Sequence, residues 1–219
     1  MFSTNTNLNN KSARIKYRKK SNRSKIKSFI IIFITLLIIG SILSVIDINE
    51  VDSNKKKQLS EEVLSYKPTV EKYAKEYHIS QYTDYLLAIM QVESGGREKD
   101  VMQSSESLDL KPNTLNEDDS IRQGCKYFSE LISLAKSKGC DIKAVIQSYN
   151  FGKGFLDYVA QKGKKYTFVL AKDFAEENSK NEKVEYNHPI AIKENGGWRY
   201  KYGNMFYVYI VNQYVDLNV

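Results

Sequence analysis

The chain has 219 residues, 42% hydrophobic and 27% charged, with a formal net charge of +7. Residues 1–46 carry nine Lys or Arg and no acid, so residues 47–219 hold 24 basic and 26 acidic side chains, a net of −2. The basic character therefore belongs to the N-terminus, which excludes a nucleic-acid-binding main domain and any nucleic-acid partner.

Residues 1–27 form a basic tail that includes KSARIKYRKKSNRSKIK. Phe29 to Ile46 follows, an uncharged run broken only by Thr35, Gly40, Ser41 and Ser44. At about 1.5 Å per residue such a helix nearly crosses a hydrocarbon core of about 30 Å. The pattern predicts a transmembrane anchor over 28–46, with the cationic tail held in the cytoplasm and the rest of the chain outside the cell. A cleaved signal peptide is the rival reading, but Ile46-Asp47-Ile48-Asn49 offers no small-residue cleavage site. Residues 47–59 read as a polar linker, and 60–219 as one extracellular domain with a core of its own.

The outer domain reads as mostly α. Ser60-Glu61-Glu62 opens a short helix, and Pro68 opens a second that runs to about Tyr77. Ser80 is placed to cap a third, ending near Ser94. Glu117-Asp118-Asp119-Ser120 gives an acidic entry to a helix over 121–137, where Ile121, Cys125, Phe128, Ile132 and Ala135 make the inward stripe. Gly139 stops that helix. Asp141 caps the next, with Ile142, Val145, Ile146 and Tyr149 on one face. Phe155, Tyr158 and Val159 suggest a short helix, Thr167 to Asn178 another, and Met205 to Tyr214 a closing aromatic-rich one. Residues 179–203 read as irregular, with room for a hairpin in 97–115 or 181–203. Roughly ten residues of helical rise, about 15 Å, separate Cys125 from Cys140, too far for a disulfide.

The chemistry centres on QVESGGREKDVMQSSES, residues 91–107. In YLLAIMQVE the apolar residues cover nearly every face, so Glu93 ends a buried helix at the mouth of a core. Burial there raises a carboxyl pKa and keeps a proton near neutral pH, as acid-catalysed glycoside cleavage requires. Pattern alone leaves open a helix-terminal Glu that points into water. Gly95 and Gly96 leave room for a substrate to approach the backbone.

Three blocks in order, Glu93-Ser94-Gly95-Gly96, Met102-Gln103 and Tyr149-Asn150-Phe151-Gly152, resemble the lysozyme-like family of goose-type lysozymes and soluble lytic transglycosylases. DVMQSSES, residues 100–107, resembles most closely the lysozyme-like domain of Gram-positive cell-wall hydrolases, including those carried by conjugative elements. The resemblance spans about residues 66–215 and implies a lysozyme-like helical domain, which the apolar run places behind one N-terminal transmembrane helix. It implies cleavage of the β-1,4 bond between N-acetylmuramic acid and N-acetylglucosamine in peptidoglycan, with Glu93 as general acid. Asp100 and Glu106 are candidates for a second carboxylate, which a hydrolase needs and a lytic transglycosylase does not. Gln103, Ser104, Ser105, Tyr149 and Asn150 are the substrate-binding candidates. Tyr186, Trp198, Tyr200 and Tyr202 are further groove candidates, while Tyr207, Val208 and Val211 resemble structural residues of the closing helix.

Hydrolysis by an N-acetylmuramidase is the preferred expectation. The alternatives are a lytic transglycosylase giving 1,6-anhydro ends and a non-catalytic wall-binding protein on the same fold. His78 and His188 lie 110 residues apart without metal-ligand spacing, and no phosphate or dinucleotide fingerprint is present, so neither metal nor cofactor is expected. The expected partners are peptidoglycan, the membrane and cell-envelope or secretion-channel assemblies.

Overall fold

The structure is a computed structural model and describes residues 56–217. The expected tail 1–27, the anchor 28–46 and the first nine residues of the linker lie outside the described residues. Among those described, no helix is long and apolar enough to cross a membrane.

The domain is mostly α, as its periodicity predicts. Ser60 caps α1 (Glu61–Ser65) by accepting the Val63 N–H, and α2 (Lys67–Glu76) follows with Pro68 in its first turn. Ser80 does not cap the third helix. It opens a short 3-10 turn, Ser80–Tyr82, and α3 (Thr83–Glu93) grows from that turn without a side-chain cap. Leu86, Leu87, Ala88, Ile89 and Met90 are all buried, and each large side chain among them contributes about 1.5–3 kcal/mol.

The long helix α4 (Glu117–Lys138) starts four residues before its expected first residue. Asn116 caps it by accepting the Asp119 N–H, and the acids fill its first turn, where the helix dipole favours them. Gly139 ends it in the left-handed conformation. α4 packs against α2 on one side and α5 (Ile142–Phe151) on the other. Asp141 caps α5 through the Ala144 N–H and also accepts the Tyr166 N–H, which ties in the loop before α7. α6 (Gly154–Gln161) and α7 (Phe168–Asn178) continue the layer, with Thr167 capping α7. Cys125 is buried on the α4 stripe, and both thiols are free.

Residues 179–203 are more ordered than their sequence suggests. β1 (Lys183–Glu185) and β2 (Trp198–Tyr200) form an antiparallel ribbon with Val184 opposite Arg199, which is the hairpin allowed for in 181–203. Between them lies α8 (Pro189–Asn195), capped by the His188 ring nitrogen and ended by Gly196. Its seven residues bury only Ala191, too little apolar periodicity to show in the sequence. The last helix, α9 (Tyr207–Val211), is shorter than the expected 205–214 and packs on α3 and α5. Residues 56–59 do not hang free of the domain. The Lys57 N–H bonds to Gln213 O at 2.6 Å and Lys56 Nζ reaches Asn212 O at 2.7 Å, so the two ends of the described chain meet.

Candidate active site

The turn after α3 sets the site. Gly95 and Gly96 both have positive φ, +63° and +76°, a region open to glycine at little cost. A Cβ on Gly96 would lie 2.9 Å from Val63 N and 3.0 Å from Glu62 C, so its bare face receives the start of α1 and not a substrate. Ser94 ties the turn to the following loop, donating to Val101 O at 2.7 Å and accepting the Gly96 N–H at 3.0 Å. Glu93 is thereby held at the end of α3 with its carboxyl shielded by packed side chains.

Two adjoining hollows flank Glu93. One, about 360 Å³, is lined by Glu93, Gln103, Ser104, Glu106, Ser107, Tyr127, Tyr149, Asn150, Phe151 and Gly152. The other, about 280 Å³, is lined by Gln91, Val92, Glu93, Asn150, Tyr186, His188, Asn204, Tyr207, Ile210 and Tyr214. Glu93 and Asn150 are the two residues they share, so this pair marks the junction of a groove with two arms.

Burial raises the Glu93 carboxyl from its ordinary value of 4.5 to about 7. A hydrogen bond from Tyr207 Oη, 2.5 Å from Glu93 Oε1, opposes the shift, and the charges of Asp100 and Glu106 add to it. Tyr207 reads from sequence as a packing residue of the closing helix. It is buried, yet its hydroxyl reaches the acid across 114 positions of sequence. Spacing within α9 carries no sign of this, because the contact depends on how α9 docks against α3.

The two carboxylates proposed beside Glu93 have unlike surroundings. Asp100 is fully buried and accepts from Ser104 N at 2.9 Å, Ser105 N at 2.9 Å and Ser120 Oγ at 2.5 Å. Burial works against its charge, yet the bonds from Ser105, Ser120 and Ser104 hold its carboxyl below the usual value. Its lone pairs are directed at the loop and it lines neither arm. Glu106 is exposed and lines the first arm with Glu93.

The binding candidates also divide. Gln103 lines the first arm in a left-handed conformation (φ +47°), and its Nε2 is held by Asp100 O at 3.0 Å and Asn113 Oδ1 at 2.9 Å. Ser104 borders the arm but spends its hydroxyl on Ser120 O at 3.0 Å. Ser105 faces away from the groove and accepts the Thr114 and Leu115 N–H groups, which closes the loop. Tyr149 lines the arm with its ring in the core, donating to Met102 O at 3.0 Å. Burial pushes its phenol well above the usual range. Met102 is buried, and its N–H donates to Ser120 Oγ at 2.9 Å. Of the aromatic groove candidates, Tyr186 lines the second arm. Tyr200 is buried in the core, Trp198 lies under the Lys183 ammonium at 4.0 Å, and Tyr202 donates to Phe151 O at 3.1 Å.

Tyr127 lines the first arm and was missed from the sequence. It meets Tyr149 edge-on at 5.6 Å, and burial raises its phenol to about 12. A signal for it exists. Ser120, Gly124 and Tyr127 stand at i, i+4 and i+7 on α4, a second stripe beside the core stripe, and the first two receive the 100–104 loop and Tyr149. A Cβ on Gly124 would come within 2.9 Å of Met102 Cβ, Met102 Cε and Tyr149 Oη.

Comparison with known proteins bears on the fold that carries these residues. Residues 60–215 match the family described as Lysozyme-like. The chain is 37% identical over 161 residues to the uncharacterized membrane protein YocA of Bacillus subtilis, covering 73% of this chain and 71% of that one. It is 36% identical over 154 residues to pneumococcal vaccine antigen A of Streptococcus pneumoniae, covering 67% of this chain and 76% of that protein. It is 41% identical over 118 residues to the bifunctional muramidase/DL-endopeptidase CwlT of Bacillus subtilis, covering 53% of this chain but 35% of CwlT. A crystal structure of a Staphylococcus aureus protein described as similar to lipoprotein, NLP/P60 family, superposes with a TM-score of 0.72 at 58% identity. That match covers 74% of this chain and 55% of the solved one, so the chain spans about half of that structure. With a shielded glutamate at the junction of a two-armed groove, on a helical domain matched almost end to end, the chain belongs to the lysozyme-like family.

Proposed function

We propose that the chain cleaves the glycan strands of peptidoglycan as an N-acetylmuramidase, hydrolysing the β-1,4 bond after N-acetylmuramic acid. One observation carries the reading: Glu93 is shielded where the two groove arms meet, and its burial raises the carboxyl to about 7. A glycan laid along both arms brings one glycosidic oxygen beside that carboxyl. Glu93 donates its proton to this oxygen, the bond to the anomeric carbon breaks, and the leaving sugar departs as an alcohol. Water then adds to the anomeric carbon. Glu106, the other carboxylate lining the groove, takes the proton from that water, while Asp100 holds the 100–108 loop. The muramidase half of CwlT's description supports the chemistry. YocA's description as a membrane protein, together with the basic tail and apolar run of this chain, supports action from the outer face of the membrane.

The hydrogen bonds that occupy Asp100 favour a second reading, a lytic transglycosylase that uses Glu93 alone and closes an anhydro ring with the sugar's own 6-hydroxyl. Mass spectrometry of digested cell wall separates the two. Reducing muramic acid ends are expected, and 1,6-anhydro ends would replace hydrolysis by transglycosylation. Glu93→Gln should abolish cleavage while the protein stays folded; intact wall after treatment with the unmodified protein would reject both readings.

A further inference from the structure

The two arms of the groove differ in charge. The first carries the exposed Glu106 carboxylate beside Glu93. Among the described residues, the second has no acid in its lining apart from the shared Glu93, and cations stand close to it. One is Arg199, whose guanidinium lies 5.5 Å from the centre of the Tyr186 ring while its Nη1 donates to Tyr200 O and Gly203 O. Those carbonyls satisfy N–H groups but leave the positive charge in place. The other is Lys57.

Lys57 is brought there by a segment pinned at both ends. Its own N–H is bonded to Gln213 O, just past α9. Three residues on, the Ser60 N–H donates to Gln91 Oε1 at 2.7 Å and Ser60 Oγ to Gly95 O at 3.1 Å. Gln91 lines the second arm, and so does Tyr214, the neighbour of Gln213. The Lys57 Nζ stands 6.0 Å from the centre of the Tyr214 ring. Burial and, after it, the Lys57 charge lower the pKa of His188, another residue of the lining. Tyr214 and His188 come from separate stretches of the chain, so their shared neighbour lies at the edge of the arm they line. Lys57 is exposed there.

We propose that Lys57 forms the outer end of the second arm as an anion contact, taking a carboxylate carried by the glycan strand, on the lactyl ether of muramic acid or on the peptide attached to it. This deepens the glycan-cleaving reading and rests on it for the identity of the polymer. Muramic acid alternates with neutral N-acetylglucosamine along such a strand. A cation beside one arm and a carboxylate in the other then set the register in which the strand lies, because an acid-bearing sugar is drawn to the second arm and repelled by Glu106 in the first. An exposed ammonium contributes modestly, about threefold in affinity.

The test uses the full-length chain in detergent with Glu93→Gln, so that no ligand is cut. Affinities for three tetrasaccharides are measured by calorimetry at about pH 7, where carboxylates and lysine are both charged. The first is the neutral tetramer of N-acetylglucosamine. The second alternates that sugar with N-acetylmuramic acid whose lactyl carboxylates are free. The third carries an alanyl-isoglutamine dipeptide on each lactyl group, which moves the acid to the peptide. Lys57→Gln should weaken an acidic ligand about threefold and Lys57→Glu about tenfold, with the neutral tetramer unchanged. Both substitutions keep the main-chain bond to Gln213, and a loosened segment would weaken all three ligands alike. The difference should shrink as salt rises from about 20 mM to about 200 mM. A loss on the free lactyl ligand alone assigns that acid, and a loss on the dipeptide ligand alone assigns the acid of the peptide. Unchanged affinity for both acidic ligands in Lys57→Glu, or binding of none of the three by the protein with Lys57, overturns the proposal. Cleavage of cell wall by the unmodified protein is scored separately, so intact wall would remove the proposed function without altering the measured preference.

Discussion

Glu93 is an acid whose folded pKa is raised, and the sign of that shift has two consequences. Between about pH 4.5 and 7 the folded chain keeps a proton that the unfolded chain has released. Stability therefore falls as pH rises through that window and levels off above it. Glu93→Gln removes the slope, and at pH 8 it should be the more stable protein by about 2 kcal/mol, read from urea unfolding at pH 5 and pH 8. Glycan cleavage should decline above about pH 7 as the acid deprotonates. Tyr207→Phe deletes the bond that lowers this pKa, so the alkaline limb of the pH–rate profile should move to higher pH while the rate at its maximum falls. Asp100 behaves in the opposite sense. Its depressed pKa means that its stabilisation is complete above the ordinary carboxylate range and is lost as pH falls through the folded value. Asp100→Ala strands three buried donors and should cost about 3 kcal/mol in a chemical denaturation curve.

At the level of helices and loops, the fold depends on close approaches as much as on burial. Gly124→Ala would normally favour a helix by about 1 kcal/mol, but here the methyl collides with Met102 and the Tyr149 hydroxyl. A net loss of about 2 kcal/mol is expected by thermal denaturation, together with weaker glycan cleavage, because α4 pushes on the loop that borders the groove. Helices with a strong stripe, α4 and α5 above all, were legible in the sequence, although α4 is capped by Asn116 and not by the acidic run expected to cap it. So were the arrest at Gly139, the Asp141 cap and the burial of Cys125. The 3-10 turn at Ser80 was not, since a serine there signals a cap in isolation and only the packed chain shows the extra turn. α8 was hidden because it buries one residue and is capped by a histidine. Within the candidate site, the sequence located Glu93, Gln103, Tyr149 and Asn150 on the groove through linear motifs. It could not separate Asp100 from Glu106, because that distinction lies in which donors surround each carboxylate. Tyr207 was out of reach for the same reason, as its contact with Glu93 arises from docking between elements distant in sequence.

For the molecule as a whole, the described domain is closed at its own boundary: residues 56–59 lie along the end of α9. A fragment starting at residue 56 is expected to cut dissolved glycan with the kcat/KM of the full chain. The full chain is expected to pellet with membranes and resist alkaline carbonate extraction, whereas the fragment stays in the supernatant. Partition into the supernatant by the full chain would remove the anchor from the proposal. The span between Glu93 and its phenolic partner carries a consequence for biogenesis. A polypeptide still emerging from the ribosome, or clipped ahead of residue 207, has only a wet glutamate of ordinary acidity at that position. If the chain cuts glycan as proposed, that chemistry requires the last helix to have docked and brought its phenol to the acid.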